Sequence, residues 1–190
     1  VDVAGVGEVV GGSSGGAHNL AVRNDGAVLS WGVNNLGQLG YAGGGLVQEQ
    51  PTVVPGVQNA VAVAAGYAFS LALTSGGEVW SWGDNLYGQL GGGTEDTRVV
   101  PSKIAGLPKI AGIAAGAYHA LAVTPAGKVW AWGYNGSGQV GNGSTTTQRV
   151  PVELPGITGV VTVVAGAIHS LALTSDRSLW VWGSNYYYQL

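Results

Sequence analysis

The stretch "VWSWGDNLYGQLG", residues 79–91, decides the fold because similar stretches return along the chain at a nearly constant interval. Its counterparts begin at Val28, Val129 and Leu179, and the Trp-Gly pairs of the four copies are spaced by 51, 50 and 50 residues. Three prolines keep the same step, namely Pro51, Pro101 and Pro151. Self-similarity at such a period is the signature of an architecture built from stacked repeats.

The repeat divides the chain into four units within a single domain, residues 1–190. The spacing predicts unit boundaries at 1–51, 52–101, 102–151 and 152–190, with the last unit incomplete. Within one period the apolar runs read "VAVAAG", "FSLALT", "VWSWG" and "VVPSKI". Short runs of this composition are typical of strands, and a proline suits an edge strand. The sequence therefore predicts an all-β propeller of about four four-stranded blades, each of ~50 residues.

The strand pattern predicts that blades stack face against face. In "HALAV" the side chains of His119, Leu121 and Val123 point one way, and those of Ala120 and Ala122 point the other. A bulky face can therefore pack on the flat alanine face of a neighbouring blade. The indole before each repeated glycine can bury on the order of 200 Å². We expect structural roles for these tryptophans: Trp31, Trp82, Trp132 and Trp182.

Composition excludes several classes of function. Only 9% of the residues are charged, the formal net charge is −3, and no run of like charges occurs, so direct nucleic-acid binding is not expected. The most apolar stretch, residues 159–173, is too short to span a bilayer. Cysteine is absent, which excludes disulfides and thiolate metal sites. The 35 glycines and few charges favour a secreted or cell-surface bacterial location over a cytoplasmic one.

The repeated pattern carries a family resemblance. It reads G-x-x-H-S/A-L-A-L/V-T, then G-x-V-W-x-W-G-x-N-x-x-G-Q-L-G, then P-x-x-V-P-G, and resembles the repeat of the regulator of chromosome condensation family over essentially the whole chain. Members of that family fold as seven-bladed β-propellers, so the resemblance implies part or half of such a ring. Open terminal blades would expose two apolar faces. We expect the chain to be either a fragment or one half of a homodimer that completes a ring, because the alternative, a closed four-bladed monomer, would demand sharper angles between blades.

The resemblance implies protein binding through loops at the propeller rims. The family includes an exchange factor for the small GTPase Ran, a plant ultraviolet-B photoreceptor, domains of ubiquitin ligases and a secreted inhibitor of β-lactamases. We expect a non-enzymatic protein–protein interaction scaffold whose protein partner is unidentified. The alternative is a regulator of a partner enzyme, either a guanine nucleotide exchange factor or a secreted inhibitor. The photoreceptor would need tryptophans where this chain has Tyr67, Ala117 and Ala167.

The residues that could carry chemistry are dispersed. His18, His119 and His169 occupy one repeat position, which holds Phe69 in the second unit. Replacement by phenylalanine indicates a packing position with an optional hydrogen bond. The carboxylates are scattered among turns, and no nucleophile elbow or phosphate loop occurs. The sequence therefore predicts no catalytic residue, no metal site and no cofactor.

The loop after each Trp-Gly pair carries a shared asparagine and then variable residues before the glutamine. The asparagine is expected to bond the turn with its side-chain amide. Variation at a fixed turn geometry is what an interaction surface needs, and tyrosine is enriched at interfaces. We expect partner contact from five tyrosines: Tyr87, Tyr134, Tyr186, Tyr187 and Tyr188.

The residue before that glutamine distinguishes the last unit. It is glycine in three units, as Gly37, Gly88 and Gly138, and it is Tyr188 in the fourth. If the glycines have a structural role in a left-handed backbone, tyrosine there costs about 1 kcal/mol or more. We therefore expect the last loop to follow a different course.

Overall fold

The computed structural model describes residues 3–43 and 45–190, and the regular structure within these ranges is entirely strand. The strands are β1 (Val9–Ser14), β2 (His18–Arg23), β3 (Val28–Val33), β4 (Val47–Val53), β5 (Ala60–Ala65), β6 (Phe69–Thr74), β7 (Val79–Gly83), β8 (Arg98–Lys103), β9 (Gly112–Ala115), β10 (His119–Val123), β11 (Val129–Gly133), β12 (Gln148–Glu153), β13 (Val160–Ala165), β14 (His169–Thr174) and β15 (Leu179–Gly183). Neither described range contains a helix that is long and apolar enough to cross a membrane.

The strands form antiparallel sheets in chain order, and the predicted all-β blades are confirmed. Blade 1 comprises β1–β4, blade 2 comprises β5–β8, and blade 3 comprises β9–β12. Blade 4 has three described strands, β13–β15. The arrangement is that of a partial propeller.

The fourth strand of each complete blade forms its outer edge and contains the repeated proline. In blade 2 the pairing of β7 with β8 shifts register between Ser81 and Gly83, beside Pro101. Proline lacks a backbone N–H, so it is tolerated on an edge strand at such an irregularity. These strands cross the unit boundaries that the spacing predicts, so each sheet ends two residues later, after residues 53, 103 and 153.

Neighbouring blades pack a bulky face on a flat face. Leu121 and Val123 of blade 3 lie in one buried cluster with Ala172 of blade 4. Ala120 and Ala122, on the other face of the same strand, lie in a different cluster with the bulky side chains of blade 2. All five are at most 3% exposed. Burial of each leucine or valine contributes about 1.5–3 kcal/mol, so these interfaces form the core of the molecule.

A hydrogen bond from a tryptophan joins each blade to the loop of the blade before it. The indole Nε1–H donates to a buried backbone carbonyl of the glutamine in that loop. The three bonds run from Trp82 to Gln38 at 2.9 Å, from Trp132 to Gln89 at 2.8 Å and from Trp182 to Gln139 at 2.9 Å. A buried indole is stabilised when its N–H finds a partner, so the bond fixes both the ring and the loop.

Two of these interfaces also contain a histidine–serine bond. His18 Nε2 lies 3.0 Å from Ser70 Oγ, and His119 Nε2 lies 2.9 Å from Ser170 Oγ. Ser170 Oγ donates its single hydrogen to the Gln139 carbonyl at 2.8 Å, so His119 Nε2–H is the donor to the serine. Burial lowers the pKa of His119 to about 4, and the ring is therefore neutral at pH 7.

The interface between blades 2 and 3 uses an apolar version of the same contact. Phe69 takes the histidine position and Ala120 takes the serine position, and both lie in one buried cluster with 0% exposure. The donor and its acceptor are thus exchanged together for two apolar side chains, which leaves no polar atom unpaired at this contact.

Backbone hydrogen bonds also connect the turns that follow the first strands. The Gly16 N–H donates to the Tyr67 carbonyl at 3.0 Å, and the Tyr67 N–H donates to the Ala117 carbonyl at 3.0 Å. The Ala117 N–H donates to the Ala167 carbonyl at 2.9 Å. Each bond joins equivalent positions of consecutive blades, so the turns form a continuous chain of bonds at one end of the propeller.

The strand order gives the propeller two distinct ends. The loop rim carries the turns between first and second strands and the long loops between third and fourth strands, which in blade 2 are residues 66–68 and 84–97. The opposite rim carries the turns between second and third strands and the connections between blades, which for blade 2 are residues 75–78 and 104–111. Antiparallel pairing fixes this assignment for every blade.

The bulky face of blade 4 is left uncovered within the described residues. Leu179 on the bulky face of blade 4 is 62% exposed, whereas the equivalent Val79 and Val129 are 1% and 0% exposed. At the other end, Trp31 on the flat face of blade 1 is half-buried and lines a groove together with Val3 and Val6 of the N-terminal segment. Ala21 and Leu29 on the same face are 4% and 2% exposed. The four blades therefore form an arc whose bulky face is unmatched at blade 4.

The histidine–serine contact generates a stability prediction. Ser170→Ala leaves the His119 N–H without its acceptor, so the free energy of unfolding should fall by about 1–3 kcal/mol. His119→Phe combined with Ser170→Ala copies the pair Phe69–Ala120, and should return the stability at pH 7 to within about 1 kcal/mol of the parent chain. Urea denaturation measures both values.

The same double variant has a pH signature. His119 has a lowered pKa in the fold, so its contribution is complete above the unfolded value of 6.5 and is lost as pH falls toward 4. The double variant lacks this histidine. Between pH 7 and pH 4 its free energy of unfolding should therefore fall by up to about 3 kcal/mol less than that of the parent chain. An unchanged acid dependence in the double variant would contradict the assignment.

Candidate protein-binding rim

The long loops of the loop rim are organised by the asparagine and glutamine that the units share. In blade 2, Asn85 Oδ1 accepts the Leu90 N–H at 3.0 Å, and Asn85 Nδ2 donates to the Asp96 carbonyl at 3.0 Å. Gln89 Oε1 accepts the Tyr87 N–H at 2.8 Å. Both amide side chains are fully buried. They fix the loop backbone from within, and the residues between them can vary without loss of these bonds.

The last loop keeps the course of the other loops. Gly88 has a φ of 70° and Tyr188 has a φ of 58°, so both adopt the left-handed region. The Tyr188 N–H donates to the Asn185 carbonyl at 3.2 Å, and the Leu190 N–H donates to Asn185 Oδ1 at 3.1 Å. The expected change of course is therefore wrong. The asparagine-centred turn holds the tyrosine backbone where glycine is otherwise found.

Two of the predicted contact residues lie together with two further tyrosines. The ring of Tyr87 lies 4.9 Å from that of Tyr134 and 5.2 Å from that of Tyr118, between centroids. Tyr118 in turn lies 5.6 Å from Tyr67. These four residues are called the tyrosine cluster. Because Tyr118 and Tyr134 belong to blade 3, the loop of blade 2 leans over its neighbour.

Tyr67 and Tyr118 were not predicted from the sequence as members of this surface. Both lie in turns between first and second strands, whereas the variable loops follow the third strands. The available signal is the strand order, because antiparallel pairing places these short turns at the same rim as the long loops. Tyr67 is 58% exposed and the other three members are half-buried.

The remaining predicted contact residues form a separate aromatic loop on blade 4. Tyr186, Tyr187 and Tyr188 are 79%, 78% and 91% exposed. The rings of Tyr186 and Tyr187 meet edge to face with their centroids 4.8 Å apart. Three consecutive exposed tyrosines provide large apolar area with polar tips, as protein interfaces commonly do.

An acidic side chain lies beside the tyrosine cluster. Asp84 opens the loop of blade 2, and its Oδ2 accepts a hydrogen bond from Gln89 Nε2 at 2.8 Å. Burial raises the pKa of the Tyr118 hydroxyl above its ordinary value of 10.0, and Tyr67, Tyr87 and Asp84 add smaller shifts in the same direction. The Asp84 N–H donates to the carbonyl of Ala68, the residue after Tyr67, at 2.9 Å, so the carboxylate lies beside the turn that carries this member of the cluster.

Charges are divided between the two rims. The charged residues within the described turns and long loops of the loop rim are Asp84, Glu95 and Asp96. The opposite rim carries charges of both signs, and three of its basic residues form salt bridges there. Its basic residues are Arg23, Lys103, Lys109, Lys128 and Arg177, and its acidic residues are Glu8, Asp25, Glu78, Glu153 and Asp176. Arg98 and Arg149 lie at the start of outer strands, where Arg149 Nε donates to Glu95 Oε1 at 2.8 Å. The inner part of the loop rim is thus acidic and aromatic.

The histidines are buried or half-buried in the blades beneath this surface. His18, His119 and His169 start the second strands of three different blades. The first two are directed into blade interfaces, where their Nε2 atoms meet serines. Among residues 3–43 and 45–190, no three His, Asp or Glu side chains are grouped closely enough to hold a metal ion.

The left-handed turn of the loop generates a prediction. Gly88→Ala should lower the free energy of unfolding by about 2 kcal/mol, because a left-handed alanine is strained. Its Cβ would also lie 2.7 Å from the Arg149 Cα. Chemical denaturation measures the loss.

Gly92→Ala in the same loop is the matched control. Its added Cβ would meet only the flexible guanidinium of Arg98, which can move away, so the cost should stay below about 1 kcal/mol. Equal losses in the two variants would contradict the role given to Gly88.

Relatives of the chain were found by sequence. The description "RCC1-like domain" belongs to the family that matches residues 2–190. Human protein RCC2 is 43% identical over 96 residues, which is 50% of this chain and 18% of that protein. The human E3 ubiquitin-protein ligase HERC2 is 40% identical over 91 residues, which is 46% of this chain and 2% of that protein. The chain thus spans a small part of these relatives.

Solved structures show the same blades. The crystal structure of human WBSCR16 superposes with a TM-score of 0.88 at 26% identity and covers 100% of this chain, which matches 52% of that protein. Yeast RCC1 (Prp20), crystallised with Kap60, superposes with a TM-score of 0.81 at 26% identity over 93% of this chain and 44% of its own. The blade geometry and the full-length family match lead to one conclusion: the chain belongs to the family of RCC1-like domains.

Proposed function

We propose that this chain is a non-enzymatic scaffold that binds a protein partner through its loop rim. The observation that carries the proposal is the separation of roles within each loop. Asn85 and Gln89 hold the backbone from inside, while Tyr87 between them faces the rim. Such loops can change their exposed side chains without disturbing the core, as interaction loops on rigid scaffolds do. The exposed tyrosines of blade 4 extend the same surface.

Relatives support protein binding. The yeast RCC1 structure contains Kap60, and the description of a second structure, of Prp20p from Saccharomyces cerevisiae, refers to binding of Gsp1p and histones. Kap60, Gsp1p and histones are all proteins. The present chain covers 44% of the yeast chain in each of these two structures. A finer alternative follows from them, namely that the chain regulates a partner enzyme. An exchange factor would accelerate nucleotide release from a small GTPase, and a secreted inhibitor would reduce β-lactamase activity.

The proposal is tested with purified Gsp1p, histones and Kap60 as probes in surface-binding measurements. We expect saturable binding of at least one probe, lost in a chain that carries Tyr186→Ser, Tyr187→Ser and Tyr188→Ser together, because these side chains are exposed on the loop rim. Arg177→Ser on the opposite rim is the control and should bind normally. Binding that the triple tyrosine variant leaves unchanged, or that only Arg177→Ser weakens, would contradict the proposal.

We further propose that two copies of the chain close a ring, with blade 4 of each copy packed on blade 1 of the other. Blade 4 exposes a bulky face at one end of the chain, and blade 1 carries a flat face at the other end. The Gln139 carbonyl receives the Trp182 indole, and the equivalent Gln189 carbonyl could receive the Trp31 indole of a second copy. The exposed Leu179 would meet the groove that Trp31 lines together with Val3 and Val6. This association obeys a two-fold axis, because both contacts are the same.

Light scattering across a dilution series tests the ring. The proposal predicts a particle of twice the 19.1 kDa chain mass, and a monomer at micromolar concentration would contradict it. Leu179→Glu should give the monomer, because it places a charge in the interface. The control is Val161→Glu, because the Val161 side chain is 57% exposed. Its counterpart Val61, in a blade that is packed on both sides, is 52% exposed, so this position lies outside the blade interfaces. Dissociation by both variants would contradict the assigned face.

A further inference from the structure

The tyrosine cluster has a geometry that leaves aromatic faces open. The interplanar angles along the chain of rings are 45° for Tyr67–Tyr118, 68° for Tyr87–Tyr118 and 53° for Tyr87–Tyr134. Tilted and edge-on pairs bring the positive edge of one ring toward the negative face of another, and they leave ring faces free on at least one side. The cluster therefore offers electron-rich faces to a ligand at the rim.

The position of these rings is set by the blades beneath them. The backbone of Tyr67 is bonded on both sides, to Gly16 and to Ala117, in the chain of turn hydrogen bonds. Its ring packs over Gly16, where a Cβ would lie 2.8 Å from a ring carbon. Tyr134 folds over Gly136, where a Cβ would lie 2.3 Å from its hydroxyl. The rings are thus placed by packing, which lowers the entropic cost of binding.

The carboxylate of Asp84 supplies a negative charge, and not all of its hydrogen-bond acceptor positions are used within the loop. Its Oδ1 accepts the Leu86 N–H at 3.2 Å, and its Oδ2 accepts Gln89 Nε2 at 2.8 Å. A carboxylate has about four acceptor sites, so two remain available to a ligand. Within the described turns and long loops of this rim no lysine or arginine is present to neutralise it. Arg149, on the outer strand, is engaged by Glu95.

We propose that the tyrosine cluster and Asp84 bind a basic side chain, preferentially arginine, presented by a protein partner. A guanidinium stacks on aromatic faces and pairs with a carboxylate at the same time, which is the combination that this surface offers. The proposal rests on the protein-binding function of the loop rim and names the chemistry that the rim recognises. The described turns and connections of the opposite rim carry charges of both signs but no tyrosine, so they lack this combination.

The experiment is an NMR titration of the chain, carbon-13 labelled in its tyrosine rings, with acetyl-glycyl-arginyl-glycine amide at low salt. The matched probe replaces arginine by citrulline, which keeps the shape and removes the charge. We expect saturable shifts at Tyr67, Tyr87, Tyr118 and Tyr134, with a dissociation constant on the order of millimolar. Citrulline should bind about tenfold more weakly or not at all. Equal shifts with both peptides would overturn the proposal.

Two pairs of variants locate the site. Asp84→Asn should weaken arginine binding by about threefold or more, whereas Asp25→Asn, the same change at the opposite rim, should leave it unchanged. Tyr67→Ser should weaken binding similarly, because Tyr67 is exposed and its removal spares the core. Its control is Val100→Ser, which changes a side chain 55% exposed on the outer strand β8. Equal effects within either pair would overturn the proposal.

The outcomes also separate this inference from the proposed function. If the loop-rim variants abolish binding of a protein probe while the arginine peptide does not bind the tyrosine cluster, the scaffold function stands and the basic-side-chain inference falls. If neither the protein probes nor the peptide respond to changes at the loop rim, both fall.

Discussion

The structure depends on one type of hydrogen bond, which occurs three times and runs from a tryptophan indole to the backbone carbonyl of a glutamine in the preceding blade. The bond explains features that are far apart in the sequence. Gly91 lies against the indole of Trp132, where a Cβ would approach its Nε1 to 3.0 Å, so the glycine after the loop is needed for the tryptophan of the next blade. The loop rim is therefore attached directly to the core. A loop that must present a carbonyl to an indole holds its outer residues at a fixed place.

This attachment accounts for how the chain combines a constant scaffold with a variable surface. The inward side chains of the loop are engaged by the blade, and the outward ones are not. Tyr87 leans across the blade boundary to the rings of Tyr118 and Tyr134, so a surface spanning two blades arises from a contact that the core has already positioned. The histidine–serine and phenylalanine–alanine contacts are two solutions for the same interface position. Either pair leaves no hydrogen-bond donor without an acceptor.

Much of the fold follows from the period and the strand pattern. Spacing of the Trp-Gly pairs gives the number of blades, and the alternation in "HALAV" gives the two faces that the structure separates into different clusters. The tyrosine cluster could not be obtained in the same way. A repeat identifies equivalent residues, but the meeting of Tyr67 with Tyr118 depends on the angle between blades. The last loop was mispredicted because the strain of Tyr188 was weighed without the bonds that Asn185 retains.

The most direct test of this account is the NMR temperature coefficient and hydrogen exchange of the indole N–H groups. Trp132 and Trp130 form an internal pair in one blade, since the Trp132 indole is bonded to Gln89 whereas the buried Trp130 indole has no partner among the described residues. The account predicts a small temperature coefficient for Trp132 and exchange about tenfold or more slower than that of Trp130. Equal values for the two indoles would contradict the claim that this bond holds the blades and their loops together.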